Sequence, residues 1–392
     1  MPSSAEVPLT LLLIFVSAKL LGEIFERLRQ PAIVGEILAG VLLGPHALGW
    51  ISPGEAVSLL GELGVMFLLF RVGLEVKSSE LVALGGQAML VAASGVIVPF
   101  LCGWGLSIWW GLPTLESVFI GAAMVATSVG ITAQVLAAGG WMSERASKLI
   151  VAAAVIDDVL GLLVLAAVSS MARGAVDYTD LAITAALAGG FTLLIIFAGA
   201  RVMGSLLPKM RSGMRGVEAE FTIALSLLFG LSLLATYAGV AAIIGAFLAG
   251  MALSESIDQR VRPLTDGVTE LLVPFFLVGI GLNFDPALFR DGAGFTALIV
   301  VAAVASKLFA CGLAALPLGR TDAVRIGVGM IPRGEVGMVV AQIGLGFGVM
   351  APSVYGTIVF MSIATTLIAP PLLRRAFRGA AARGESDALR IG

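Results

Sequence analysis

The stretch AAVIDDVLGLLVLAAV, residues 153–168, sets two adjacent acids, Asp157 and Asp158, inside an otherwise apolar run. Such a run belongs in lipid, where a carboxylate survives only if it faces protein or a water-filled cavity. The rest of the chain has the same character. Its 392 residues are 58% hydrophobic and 13% charged, with a mean hydropathy of +1.03, whereas a soluble domain carries roughly 25% charged residues. The sequence is therefore that of an all-α polytopic membrane protein.

Runs of about 20 apolar residues span a bilayer as helices. About 13 transmembrane helices are expected, over 8–26, 31–49, 57–75, 84–110, 116–138, 146–171, 180–205, 217–237, 239–254, 266–284, 292–317, 323–349 and 352–376. The whole forms one transmembrane unit with a short cytoplasmic tail, 377–392. The N-terminus has neither a basic n-region nor a small-residue cleavage site, so its first apolar segment reads as a retained span. Cys102 and Cys311 both fall within spans, which argues against a disulfide framework. His46 is the single histidine, so a histidine relay and a multi-histidine metal site are excluded. A net charge of −2 without a basic stripe gives no reason to expect nucleic acid.

Lys and Arg distribution sets the orientation. Of the 24, Lys19, Arg71, Lys307 and Arg333 lie inside spans. With the N-terminus outside, 18 of the others fall on the cytoplasmic side and only Arg173 and Arg290 outside. This asymmetry also favours an odd number of spans and a cytoplasmic C-terminus. A long-period repeat accompanies it. GEILAG at 35–40 matches GAFLAG at 245–250, and FLLFRVGLE at 67–75 resembles FFLVGIGLN at 275–283, offsets of 210 and 208 residues. Residues 8–171 then form a first repeat of six helices, 180–205 a linker helix, and 217–376 a second repeat. Seven spans separate equivalent helices, so the second copy is inverted. Inverted repeats with a midplane site are the signature of many secondary transporters.

Four spans carry a polar or charged residue at their midpoint: Thr127, Asp158, Lys307 with Ser306, and Glu335. Two of these spans, in corresponding positions, should be broken. VATSVGITAQ (125–134) has three hydroxyls and Gly130; GMIPRGEVGM (329–338) has Pro332, which lacks a backbone donor, and Gly334. Paired breaks of this kind point to a transporter binding site. Unwinding frees carbonyls for a cation, and Arg333 and Glu335 could neutralise the half-helix ends. On a helix, Asp157 and Asp158 point about 100° apart, so they divide the work. One pairs with Lys307 while the other faces a cavity where cation and proton compete. Glu36 and Glu62 read as packing or vestibule residues, and Arg71 as a cytoplasm-leaning structural residue.

These motifs resemble the second cation:proton antiporter family (monovalent cation:proton antiporter-2), most closely its bacterial NapA-type sodium/proton antiporters. QPAIVGEILAGVLLGP, FLLFRVGLE, ATSVGITAQVL, AAVIDDVLGLLVLA, PFFLVGIGL and MIPRGEVGMVVA occur in family order along essentially the whole chain. The resemblance implies a homodimer in the bacterial plasma (inner) membrane, with a dimerisation panel and a mobile core of spans 4–6 and 11–13 that works by alternating access. It implies that Asp158 carries the transported Na+ and H+, that Asp157 pairs with Lys307, and that Thr127, Ser128 and Glu335 line or support the site. Asp157, Asp158, Thr127 and Ser128 are the expected Na+ ligands. Arg333 supports the site; Gly130, Pro332 and Gly334 break the helices. Li+ is an expected co-substrate, and no cofactor is expected.

The leading function is Na+/H+ exchange. The adjacent aspartates point to the electrogenic branch, with Lys307 exchanging a second proton as it pairs with and parts from Asp157. A K+/H+ antiporter of the same family is the alternative, and a passive cation channel is disfavoured because no filter-like repeat or ring of pore charges is evident. No nucleotide-binding loop, metal cluster or catalytic triad suggests an enzyme.

Overall fold

A computed structural model describes residues 6–28, 30–172, 178–199, 201–205, 217–257, 261–283 and 292–378. The tail from 379 onward lies outside the described residues, as do Arg29, Arg173, Lys209, Arg211, Arg215, Arg260 and Arg290, all used in the orientation argument.

Regular structure among the described residues is helical. In the first part of the chain run α1 (Glu6–Arg27), α2 (Ala32–Leu43), α3 (Glu55–Glu75), α4 (Ser78–Trp109), α5 (Thr114–Ala123), α6 (Val129–Ala138) and α7 (Arg145–Ala172). Then α8 (Tyr178–Leu194) continues into a π-helical turn, Ile195–Gly199. The second part holds α9 (Val217–Tyr237), α10 (Ala242–Leu253), α11 (Val261–Leu282), α12 (Ala293–Ala314), α13 (Arg320–Gly329), α14 (Glu335–Gly346) and α15 (Pro352–Phe377). Each expected span has a helical counterpart. Nine helices are long and apolar enough to cross a membrane among the described residues. The remaining spans are α2 and α10, of 12 residues each, and the two broken pairs, α5 with α6 and α13 with α14. The span expected to begin at 239 starts at Ala242 instead. There the chain turns through Gly239, whose φ of 79° sits in the left-handed region that glycine adopts without strain.

The helices pack in two groups. In one, α2 lies on α1 and α11, α10 lies on α9 and α3, and α3 lies on α11. In the other, α4 lies on α5, α7 and α12; α12 lies on α13 and α15; and α14 lies on α5 and α15. The groups meet directly through α3 on α6 and α2 on α15, and through the linker, where α7 lies on α8 and the π-helical turn lies on α10. Backbones approach closely where a side chain would not fit. A Cβ on Gly40 would run into the Val278 carbonyl oxygen of α11, and one on Gly250 into the Phe70 carbonyl oxygen of α3. Small residues at such crossings replace a hydrophobic drive that lipid cannot supply between membrane helices.

Candidate ion-binding site

Both breaks form where the sequence places them, and they cross. α5 ends at Ala123 and α6 begins at Val129; α13 ends at Gly329 and α14 begins at Glu335. The Ser128 amide donates to the Pro332 carbonyl at 2.7 Å, joining the two unwound segments. A Cβ on Gly334 would come within 2.9 Å of the Ser128 Cβ, so this contact depends on glycine. Gly130 is a correction. It lies inside α6 rather than at the break, which falls on 124–128. Its role is spatial: a Cβ there would meet Val65 Cγ2 at 2.8 Å and Phe276 Cζ at 3.4 Å.

Several of the carbonyls that unwinding exposes already have donors. Arg333, fully buried, donates from one guanidinium nitrogen to the Val125 and Ala126 carbonyls (3.1 and 3.2 Å) and from the other to that of Ala303 (3.2 Å). A cation thus sits on the negative end of α5, as the helix dipole favours. The Gly329 carbonyl, at the end of α13, accepts the Thr132 hydroxyl at 2.7 Å. The Arg333 backbone is fixed on both sides, its amide by Thr365 Oγ1 (3.1 Å) and its carbonyl by the Thr366 hydroxyl (2.9 Å). These carbonyls serve the protein's own donors, Arg333 foremost. Glu335 opens α14, but its side chain lies outside the described residues.

On α7 the two aspartates diverge. Asp157 is buried, and both its oxygens accept from Lys307 Nζ, at 3.0 and 3.3 Å. Both side chains of the pair are inaccessible to solvent. Asp158 instead lines a cavity of about 20 Å³ with Val65, Thr127, Ser128, Val129, Gly130, Ile243, Phe276, Gly334 and Val336. That is room for about one water. Asp157 is not among these walls, which corrects its assignment as a cation ligand in this arrangement: neighbours on a helix cannot face the same point. Thr127 is buried, and its Oγ1 has no hydrogen-bond partner among the described residues. The first turns of α6 and α14 close on the cavity, bringing two positive helix ends to the Asp158 carboxylate.

Val65, Ile243 and Phe276 also line a second, open cleft of about 480 Å³ that reaches the starts of α3 and α10 and the end of α11. They form the partition between cleft and cavity. Glu62 lies in this cleft. Arg71 pairs with Asp266 at 2.8 Å, and Lys19 approaches Glu36 at 4.0 Å, both away from the cavity. Sequence reading counted Thr132 only as one hydroxyl of the broken span and missed Thr365 and Thr366. Their only signal was a hydroxyl inside an apolar span, and most such hydroxyls bond their own helix.

The chain matches the family described as "Sodium/hydrogen exchanger, transmembrane" over residues 11–379. It belongs to the sodium/hydrogen exchanger family. Among relatives of this exchanger-family protein, the high-affinity Na+/H+ antiporter NhaS3 of Synechocystis sp. is 34% identical over 96% of this chain and 91% of its own. The Na+/H+-K+ antiporter GerN of Bacillus cereus is 35% identical over 93% of this chain and 95% of its own. In fold, the exchanger resembles the sodium/proton antiporter MjNhaP1 of Methanocaldococcus jannaschii, with a TM-score of 0.74, 18% identity and 97% of each chain covered.

Proposed function

We propose that this protein is a secondary active antiporter exchanging Na+, and Li+, for H+, and that cation and proton compete at Asp158. One observation carries this reading: Asp158 lines a one-water cavity between two crossed helix breaks together with Thr127, whose buried hydroxyl has no hydrogen-bond partner among the described residues. The carboxylate supplies the charge, and Thr127 and Ser128 supply neutral oxygens. A proton on Asp158 removes the charge that holds Na+, so the site takes one or the other. The relatives favour Na+: NhaS3 is by its name a Na+/H+ antiporter, although GerN, by its name, handles K+ as well.

Alternating access would move the group of α4–α7 and α12–α15 against that of α1–α3 and α9–α11, with Val65, Ile243 and Phe276 as the partition on the cleft side. The packing supports an inverted repeat. α2 on α11 is matched by α10 on α3, and α4 on α5 by α12 on α13. Glycines 40 and 250 make their close approaches at the repeat offset. Of the described basic residues, Lys77, Arg145, Lys148, Arg320 and Arg325 start helices on the end away from the cleft mouth. This supports an N-terminus outside, a cytoplasmic C-terminus and an outward-facing cleft. The adjacent aspartates with ATSVGIT and PRGEVG support the finer placement among NapA-type antiporters of the bacterial inner membrane, acting as homodimers. α1 presents Leu9, Leu12 and Leu20 outward, to lipid or to a second copy.

Proteoliposomes with an internal pH dye test the reading. Imposed proton gradients should drive uphill Na+ and Li+ movement, with K+ much weaker. Cation flux that dissipates its own gradient without moving protons would overturn exchange in favour of a channel.

A further inference from the structure

The open cleft has one ionisable wall residue among the described residues, Glu62. The other walls are apolar or glycine, apart from Ser58 and Asn283. Glu62 is exposed and forms no ion pair or hydrogen bond among the described residues. Ser58, Glu62 and Val65 follow the i, i+4, i+7 spacing of one helix face, so they descend α3 in a single stripe. Val65 ends the stripe at the partition with the Asp158 cavity, one turn below Glu62. A carboxylate with no counter-charge, in a cleft with low-dielectric walls, concentrates cations locally. Along this route it stands just before the cation must shed water to enter a one-water cavity.

We infer that Glu62 forms an antechamber for a hydrated monovalent cation one helical turn outside the Asp158 cavity, and that it sets the apparent Na+ affinity by its field rather than by ligating the bound ion. The inference rests on the antiport reading above. It makes Glu62 a positioning residue: it raises Na+ concentration at the partition and takes no part in the competition at Asp158.

The test uses the full chain in proteoliposomes, with initial exchange rates measured against Na+ presented to the cleft side in about 10 mM and about 1 M choline chloride, where the Debye length is roughly 30 and 3 Å. Proton-driven Na+ movement by the unmodified protein checks the antiport reading by itself. Given that, Glu62→Gln should raise KM for Na+ about three- to tenfold in low salt and leave kcat within about twofold. The difference should vanish in high salt, and Glu62→Asp should keep the original KM. An unchanged KM in low salt would overturn the antechamber. So would a shift that persists in high salt, or a loss confined to kcat, since a structural or directly ligating role produces those. Glu62 is exposed in a cleft, so folding is not at stake; monodispersity of each variant checks this.

Discussion

Replacing Lys307 by Gln tests whether the Asp157–Lys307 pair is both a structural staple and part of the charge-moving machinery. Neither side chain reaches solvent, and Nζ lies 3.0 and 3.3 Å from the two carboxylate oxygens. Removing one partner leaves the other charge buried and uncompensated, which costs about 3–5 kcal/mol. At about 1.4 kcal/mol per decade that is two to nearly four orders of magnitude in the unfolding equilibrium. Asp157→Asn should cost a similar amount. The double variant Asp157→Asn/Lys307→Gln buries two neutral amides of similar shape, so it should recover most of the loss. A double-mutant cycle by denaturant unfolding in detergent should thus show a coupling of about 3 kcal/mol or more. Additive single effects, each below about 1 kcal/mol, would refute the account of a tightly coupled buried pair.

The same variant separates two transport schemes. Exchange of one proton for one Na+ at Asp158 alone moves no net charge. If Lys307 carries a second proton, one charge crosses per cycle, worth about 2.3 kcal/mol per 100 mV. Unmodified protein should then give sustained currents on solid-supported membranes. Folded Lys307→Gln should keep Na+-dependent pH signals but lose charge displacement. Wild-type charge per Na+ in that variant would leave the lysine structural.

Other substitutions probe the site and its frame. Asp158→Asn should abolish exchange while preserving the fold; robust exchange would sink the assignment of the competing carboxylate. Thr127→Val removes the buried hydroxyl at nearly constant volume, so it should weaken Na+ binding by calorimetry about five- to tenfold without loss of stability; unchanged binding would exclude this oxygen from the site. Pro332→Ala adds a buried amide donor beside the crossing, a cost of about 1–3 kcal/mol, and should impair Na+ binding; unaltered affinity would make the break incidental. Gly250→Ala drives a Cβ into the Phe70 carbonyl oxygen and should destabilise the protein by about 1–3 kcal/mol or more in thermal unfolding; a neutral result would refute the close crossing.

Length and apolarity made the spans legible, because a helix in lipid must satisfy its own backbone and therefore announces itself as a long run. The breaks were legible for the complementary reason. Pro332 and Gly334 cannot sustain a helix, and hydroxyls cluster at 127–132. What the sequence could not say was which residue bears the break and which fills the space beside it. Gly130 was read as a breaker but serves to admit Val65 and Phe276. Adjacent aspartates announced divided roles through helix geometry, and Lys307 was identifiable as the partner because buried cations in spans are few. The roles of Thr132, Thr365 and Thr366 stayed hidden because they depend on acceptors and donors 32 to 197 residues away in sequence, and no local pattern encodes that.

The braced backbone at the crossing also bears on why this protein breaks two helices at all. An unwound segment in a membrane leaves donors and acceptors that lipid cannot serve, each a cost of several kcal/mol. Here the Arg333 guanidinium takes the Val125 and Ala126 carbonyls, Thr132 takes that of Gly329, the Ser128 amide that of Pro332, and the Thr366 hydroxyl that of Arg333. These bonds brace the break through side chains and backbone of the protein itself. In the proposed site, Asp158 supplies the only charge among the residues that line the cavity, and one proton removes it. A site built on backbone carbonyls would hold its cation at any pH. One built on a carboxylate over a braced backbone can release it to a proton, which is the property an exchanger needs.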